Sequence, residues 1–279
     1  MARSRTETKL VTRVAPGTRQ RQPDELIVEE PLSVRLDGKP VTTTMRTPGN
    51  DYELAAGFCH TEGVLGGARI VAVRYCADGP AMSTEFNVVT VETGGSAPPF
   101  TPRLGLTSSS CGLCGSDSID ALASRLSPLD PSHASGFDPD SFAQICARVL
   151  GRQGLFASTG AVHGAAAFDT DGQILLTRED VGRHNAVDKV IGRLLLDGRL
   201  PATGLGLFVS GRSSFEMVQK AWAAGFAVLV SVSAPTSLAV ETARRANLML
   251  AGFVRGDHLN VYSPERLPTA APEIESVSR

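Results

Sequence analysis

The chain has 279 residues, 42% of them apolar and 20% charged, with 27 Lys and Arg set against 29 Asp and Glu. That length allows one or two domains with a real core, and a net charge of −2 excludes the basic excess of a dedicated nucleic-acid binder. No apolar run approaches the roughly 18 residues of a membrane-spanning helix, and five cysteines are too few, and odd in number, for a disulfide framework, so a cytoplasmic protein that does not enter membranes is expected.

In chain order, residues 1–24 carry six basic residues and no apolar run, and are expected to be a disordered tail. Residues 25–105 are expected to form a small α+β unit. Leu32, Val34 and Leu36 alternate, Asp37-Gly38 supplies a hairpin turn, and Val41 to Met45 returns as the partner strand. Pro48-Gly-Asn-Asp51 opens a helix with Leu54 and Phe58 on one face, and strands follow near Ile70–Tyr75 and Phe86–Val91. Residues 106–139 hold a Ser- and Gly-rich cysteine loop, a short helix through Leu122 and a Pro-rich connection.

From residue 140 to 267 the period changes. Phe142, Ile145, Cys146, Val149 and Leu150 mark one helix face, and Val187, Val190, Ile191, Leu194 and Leu195 a second. A hairpin turns at Asp169-Thr-Asp-Gly172. Strands at Leu205–Ser210, Ala227–Val232, Leu248–Val254 and Leu259–Tyr262 alternate with helices near 214–224 and 237–246, the order of an α/β layered unit. Residues 268–279 form a polar tail.

The chemistry concentrates in Ser108-Ser-Ser-Cys111-Gly-Leu-Cys114-Gly115. A thiol in so small and mobile a loop packs little, and its reactivity is the reason for its place. Half a structural zinc site would need a second pair of ligands, and Cys59, Cys76 and Cys146 form none. A dithiol redox centre normally follows a core strand, which is missing here. A persulfide-bearing sulfur arm fits a flexible loop. Spacing alone leaves redox chemistry and sulfur transfer level.

Elsewhere, Gly211-Arg-Ser-Ser214 and Ser233-Ala-Pro-Thr-Ser237 follow strands and precede helices, where α/β sheets bind anionic ligands. Ser213 with Glu216 matches a capping box, so the plain reading is a helix cap. Arg178 to Asn185 reads as a solvated loop ending in an Asn185 cap, and His163 as a core histidine. Cys59, Cys76 and Cys146 read as small core residues.

Several stretches together carry a resemblance. They are Thr47-Pro-Gly-Asn-Asp51, Gly57-Phe58 with Thr61-Glu-Gly63, Ser110 to Gly115, Thr159-Gly-Ala-Val-His163, Glu179 to Asn185 with Asp188-Lys189, Ser210 to Ser214, Ser233 to Thr236, and Ala251-Gly-Phe253 running to Asn260-Val-Tyr262. In this order they resemble the FdhD family, the formate dehydrogenase accessory sulfurtransferases.

The resemblance implies a cytidine-deaminase-like three-layer α/β/α C-terminal domain beside a smaller α+β domain, in a homodimer. It implies a sulfurtransferase that takes sulfur from a cysteine desulfurase as a persulfide on Cys111, with Cys114 as a second carrier or resolving thiol. The sulfur would pass to the molybdenum of a bis(molybdopterin guanine dinucleotide) cofactor destined for formate dehydrogenase. The guanine-nucleotide part of that bound substrate would meet Phe253, Val254, Arg255, Gly256, Asp257 and His258, and no metal would be held permanently. Deaminase chemistry itself is not expected, because His163 is followed two residues on by Ala165 and not by Glu. A non-catalytic cofactor chaperone and a dithiol oxidoreductase are the competing functions.

Overall fold

The computed structural model describes residues 3–75, 86–102, 115–255 and 258–264. The chain begins with an antiparallel ribbon, β1 (Thr6–Ala15) and β2 (Thr18–Ile27), joined at Pro16-Gly17 and paired from Thr6↔Ile27 to Ala15↔Thr18. The disordered tail expected over residues 1–24 is therefore a correction. Both faces of this ribbon are largely exposed, so it lacks the apolar alternation by which a half-buried strand is read. A lone two-stranded ribbon is marginal in water; here β2 also packs against α4 (Gly154–Thr159), a one-and-a-half-turn helix too short to leave a periodic signal.

The N-terminal unit is a four-stranded sheet in the order β4-β3-β6-β5, formed by β3 (Glu30–Leu36), β4 (Lys39–Arg46), β5 (Ala72–Tyr75) and β6 (Val88–Glu92). Asp37 and Gly38 both adopt positive φ, 47° and 80°, as a two-residue hairpin turn requires. The alternating Leu32, Val34 and Leu36 point inward with Val89 and Val91, and α1 (Asp51–Thr61) closes this core with Leu54, Phe58 and Cys59.

The C-terminal unit is a six-stranded sheet in the order β12-β11-β10-β9-β7-β8. Its parallel centre is β9 (Gly206–Val209), β10 (Val228–Ser231) and β11 (Met249–Arg255). The hairpin β7 (His163–Phe168) and β8 (Ile174–Asp180) flanks one side and β12 (His258–Ser263) the other, antiparallel. β9 and β10 are apolar at nearly every position because both faces are covered. One face carries α5 (Arg183–Leu196), α6 (Phe215–Ala224), α7 (Ser237–Ala246) and Leu122 of α2 (Gly115–Ala123), which enclose a core with Ala165, Leu207, Val209 and Leu229. The other face carries α3 (Phe142–Leu150), whose Phe142, Ile145 and Val149 pack on Ala166, Phe168 and Phe208. The result is three layers, helix on sheet on helix. Among the described residues no helix is long and apolar enough to cross a membrane.

The two units join where α1 crosses α5. A Cβ on Gly57 would lie 1.9 Å from the Asp188 carbonyl oxygen, and one on Gly192 would lie 1.8 Å from that of Glu53. Backbone therefore meets backbone, a contact open only to glycine. Around this crossing lie charges that the sequence displays as scattered polar residues. Asp188 accepts from Lys220 Nζ at 2.9 Å and from Thr61 Oγ1 at 2.9 Å. Arg46 grips Asp51 through Nε at 3.1 Å and Nη2 at 2.9 Å. Arg178 grips Glu53 the same way, at 2.5 and 2.8 Å.

His60, on the last turn of α1, faces α6, with Nε2 3.0 Å from the Ala223 carbonyl. A carbonyl only accepts, so Nε2 carries the proton. Burial lowers the His60 pKa, partly opposed by that hydrogen bond. The unfolded chain then binds the additional proton more readily, so stability should fall as pH drops below about 6.5. Urea unfolding at a series of pH values should show this slope, and His60→Gln should flatten it.

Candidate functional site

The carboxyl ends of β8, β9, β10 and β11 and the amino end of β7 share one edge of the C-terminal sheet, since β7 and β9 are antiparallel. Ser210, just past β9, donates its N–H to the Gly164 carbonyl at 2.9 Å and accepts from Gly164 N at 3.0 Å through its hydroxyl. His163 Nδ1 lies 3.3 Å from the same hydroxyl. Helices α5, α6 and α7 begin directly after these strand ends. Their unpaired amide groups and positive dipole ends therefore face this edge.

The loops after β9 and β10 are tied together. Ser213 forms an isolated parallel bridge with Pro235 and accepts the Thr236 N–H at 3.0 Å. Thr236 then caps α7, accepting from Ala239 N at 3.2 Å. The capping box expected for α6 does not form. Ser214 is the cap residue by backbone geometry, neither serine hydroxyl has a partner among the described residues, and Glu216 instead pairs with His184 Nε2 at 2.6 Å. Ser213 cannot cap because its backbone is committed to the bridge.

The segment read as a solvated loop is a buried junction. Asp180 is fully buried and pairs with Lys189 Nζ at 2.7 Å. It also accepts from Thr47 N at 3.1 Å, Gly182 N at 2.8 Å and Asn185 Nδ2 at 2.9 Å. Asn185 is not the cap; Gly182 is. Asn185 lies inside the first turn of α5 and reaches across to the Met45 carbonyl at 2.7 Å. Removing the cation by Lys189→Met would leave the Asp180 charge buried without its counter-ion, a loss of about 3–5 kcal/mol. Chemical denaturation of the purified variant measures it.

A cavity of about 660 Å³ opens at this edge on the α3 face, lined by Cys146, Phe156, His163, Phe208, Ser210 and Val232 among others. Its wall is mostly apolar, and its polar side chains are Gln153, His163 and Ser210. Burial lowers the His163 pKa, helped by the neighbouring charges of Arg183 and His184, so the ring is neutral near pH 7. Gly211 brings the backbone close to Arg183: a Cβ there would stand 3.2 Å from Arg183 Cδ. Burial, with the like charge of Arg212, also lowers the Arg183 pKa. Glu216 stays ionised; burial would raise its pKa, but the His184 hydrogen bond and nearby cations outweigh it.

The C-terminal segment singled out in the sequence reaches the same edge. Phe253 adopts φ 56° in the left-handed region and is 40% exposed, and the β11–β12 ladder shifts register between Gly252 and Arg255. An aromatic residue there is strained, and its N–H reaches the Ser233 carbonyl at 3.3 Å. Val254 is buried and lines the cavity, and Arg255 pairs with His258 across the turn. Gly256 and Asp257 lie outside the described residues, as do Cys111, Cys114 and Cys76.

The two described cysteines are poor nucleophiles. Cys59 is fully buried, and burial, then Asp188 and Glu62, push its thiol far up. Cys146 is half-buried and lines the cavity, where burial raises its thiol to about 11. Sequence reasoning missed the cavity. Its signal is the small-residue face of α3, Ala143, Cys146 and Ala147, beside the buried face that the helical period picks out.

The profile of the FdhD/NarQ family matches residues 27–268. A protein of Streptomyces avermitilis is 47% identical over 269 residues, spanning 93% of this chain and 94% of that one. One of Streptomyces coelicolor is 46% identical over 267 residues, spanning 92% and 94%, and one of Nocardia farcinica is 46% identical over 262 residues, spanning 92% and 93%. Each of the three is named sulfur carrier protein FdhD. The crystal structure of a candidate formate dehydrogenase accessory protein from Desulfotalea psychrophila superimposes with a TM-score of 0.72 at 24% identity, over 95% of this chain and 100% of that one.

Proposed function

This chain belongs to the FdhD/NarQ family, and from that premise we propose that it is a sulfur carrier serving formate dehydrogenase, with Cys111 as the carrying thiol. The observation that carries the reading is identity near one half, over more than nine tenths of both chains, with proteins named sulfur carriers. The local chemistry supports it. Among the described residues the cysteines are Cys59 and Cys146, and burial denies both the thiolate form.

In this reading the Cys111 thiolate attacks the outer sulfur of a cysteine desulfurase persulfide. A sulfur–sulfur bond forms on Cys111, the donor's bond breaks, and the donor cysteine leaves as thiolate. Cys114 serves as a second carrier or as the resolving thiol. As resolving thiol it attacks the Cys111 sulfur, releasing hydrosulfide and leaving a Cys111–Cys114 disulfide for a cellular dithiol to reduce. The work belongs in the cytoplasm, where thiols stay reduced.

The sulfur's destination is the molybdenum of a bis(molybdopterin guanine dinucleotide) cofactor, bound as substrate and not as resident group. Phe253, Val254, Arg255, Gly256, Asp257 and His258 receive its guanine-nucleotide part. The exposed Phe253 ring, next in sequence to Val254 of the cavity wall, suits a planar base. A homodimer would offer one such edge to each nucleotide arm. We read the three-layer unit as a cytidine-deaminase-like scaffold put to this different use.

A single-turnover experiment tests the proposal. The chain is loaded with radiolabelled sulfur by a desulfurase, freed of donor, and mixed with sulfur-deficient formate dehydrogenase. Label should leave the chain and appear with the dehydrogenase cofactor as activity rises. Activation with the label still on the chain would instead indicate a cofactor chaperone.

A further inference from the structure

The β1–β2 ribbon lies almost wholly ahead of the residues that the family profile matches, and the sulfur-carrier reading gives it no task. Directly opposed residues of an antiparallel pair share a face, and the faces alternate along each strand. The pairing therefore sorts the ribbon's side chains into two sets. One face bears Val11 opposite Gln22, both half-buried. The other is exposed from the Thr8–Glu25 pair to the Val14–Arg19 pair, with Leu10 56% and Val14 67% exposed.

The order of residues on that outer face is self-complementary. Its middle pair is Leu10 with Pro23. One pair toward the Pro16-Gly17 tip stands Arg21, and one pair toward the base stands Glu25. A further step brings Val14 at the tip and Ile27 at the base. When a second ribbon is turned end for end and laid face to face on the first, with Leu10 and Pro23 on the two-fold axis, Arg21 of each chain meets Glu25 of the other. Val14 then meets Ile27, and the two Leu10 side chains meet each other. Arg21 and Glu25 cannot pair within one chain, because four residues along a strand separate them by about 13 Å. Among the described residues neither has an ion-pair partner. A patch that fits itself is what an isologous two-fold contact requires. A second ribbon also covers Leu10 and Val14 and adds a layer to a two-stranded sheet that is marginal alone.

We propose that the outer face of the β1–β2 ribbon is the surface on which a second copy of this chain docks, two-fold about Leu10 and Pro23. This names the surface of the homodimer proposed above and rests on that reading. The face is about 33 Å long and two strands wide, less than a standard interface. The contact is therefore expected to be reversible at micromolar concentration and to weaken with added salt.

The test is sedimentation equilibrium of the full chain, reduced, across the micromolar range at low salt. Arg21→Glu and Glu25→Arg should each weaken self-association by about tenfold or more, because like charges then meet at both ends of the contact. Mixed in equal amounts, the two variants should associate with each other more tightly than either does with itself, since each end again brings opposite charges together. The chain carrying both substitutions should regain the parent's association. Leu10→Asp, which sets two carboxylates against each other on the axis, should weaken association as the single charge reversals do. All three positions are exposed, so the urea midpoints should stay at the parent's value.

A parent dimer unmoved by all three substitutions would overturn the ribbon surface and leave the homodimer standing. A parent that stays monomeric throughout would overturn both. Loss in the single variants without recovery in the mixture and in the double variant would overturn the two-fold pairing of Arg21 with Glu25.

Discussion

A Cys111→Ala chain should fold normally and deliver no sulfur, leaving formate dehydrogenase activity at background in cells that depend on it, a loss of at least about a hundredfold on the scale of removing a covalent nucleophile. No described cysteine stands ready to replace it. A thiol raised to about 11, as burial raises Cys146, is ionised to only about one part in ten thousand at pH 7. Cys59 is further from ionisation and has no access to solvent. The fold should survive because the three apolar cores are closed, among the described residues, by side chains from other segments. Complementation of a strain lacking its own carrier, together with the urea midpoint of the purified variant, checks both halves. Restored activity would mean that the chain acts on the cofactor without carrying sulfur. Cys114→Ala beside it separates the roles of the pair: a second carrier predicts partial loss, and an obligatory resolving thiol predicts loss as complete as that of Cys111→Ala.

Gly57→Ala should be severely destabilising for so small a substitution. Its methyl group would fall 1.9 Å from the Asp188 carbonyl oxygen and 2.8 Å from Gly192 N. Both are backbone atoms, and no rotamer can relieve the clash. α1 must back away from α5, and with it go the seats of Arg178 on Glu53 and of Lys220 on Asp188 and Thr61. Overpacking at a site that cannot yield costs about 3 kcal/mol, and more when buried ion pairs are strained as well. The midpoint of chemical denaturation should fall accordingly, and Gly192→Ala should match it from the other side of the crossing. An unchanged midpoint in both would contradict the close backbone contact.

Much of the architecture was legible in the sequence, for reasons visible at single residues. Leu32, Val34 and Leu36 alternate because one face of β3 is buried, and Asp37-Gly38 declares its own turn. Phe142, Ile145 and Val149 repeat at helical spacing because only one side of α3 meets the sheet. The ribbon over residues 6–27 was hidden because it buries neither face, and α4 because it is short. The junction was hidden for a different reason. Asp180 and Thr47 are 133 positions apart and Asn185 and Met45 are 140 apart, and a polar residue on a chain does not disclose a partner at that distance. So a charged run that looks solvated is a buried, hydrogen-bonded junction. Motif residues such as Thr47, Thr61, Asp180, Asp188 and Lys189 turn out to join the two units. Arg183, Arg212 and Phe253 lie instead at the carboxyl edge of the C-terminal sheet. The cysteine loop stood out by composition alone, and the role proposed for it rests on the family.

The most direct measurement is mass spectrometry of the chain after incubation with a cysteine desulfurase and cysteine, with thiols trapped before digestion. The account predicts a gain of one sulfur atom on the peptide that contains Cys111, removed by a reductant and absent in Cys111→Ala. A chain that gains no sulfur, or gains it only on the peptides of Cys59, Cys76 or Cys146, would contradict it.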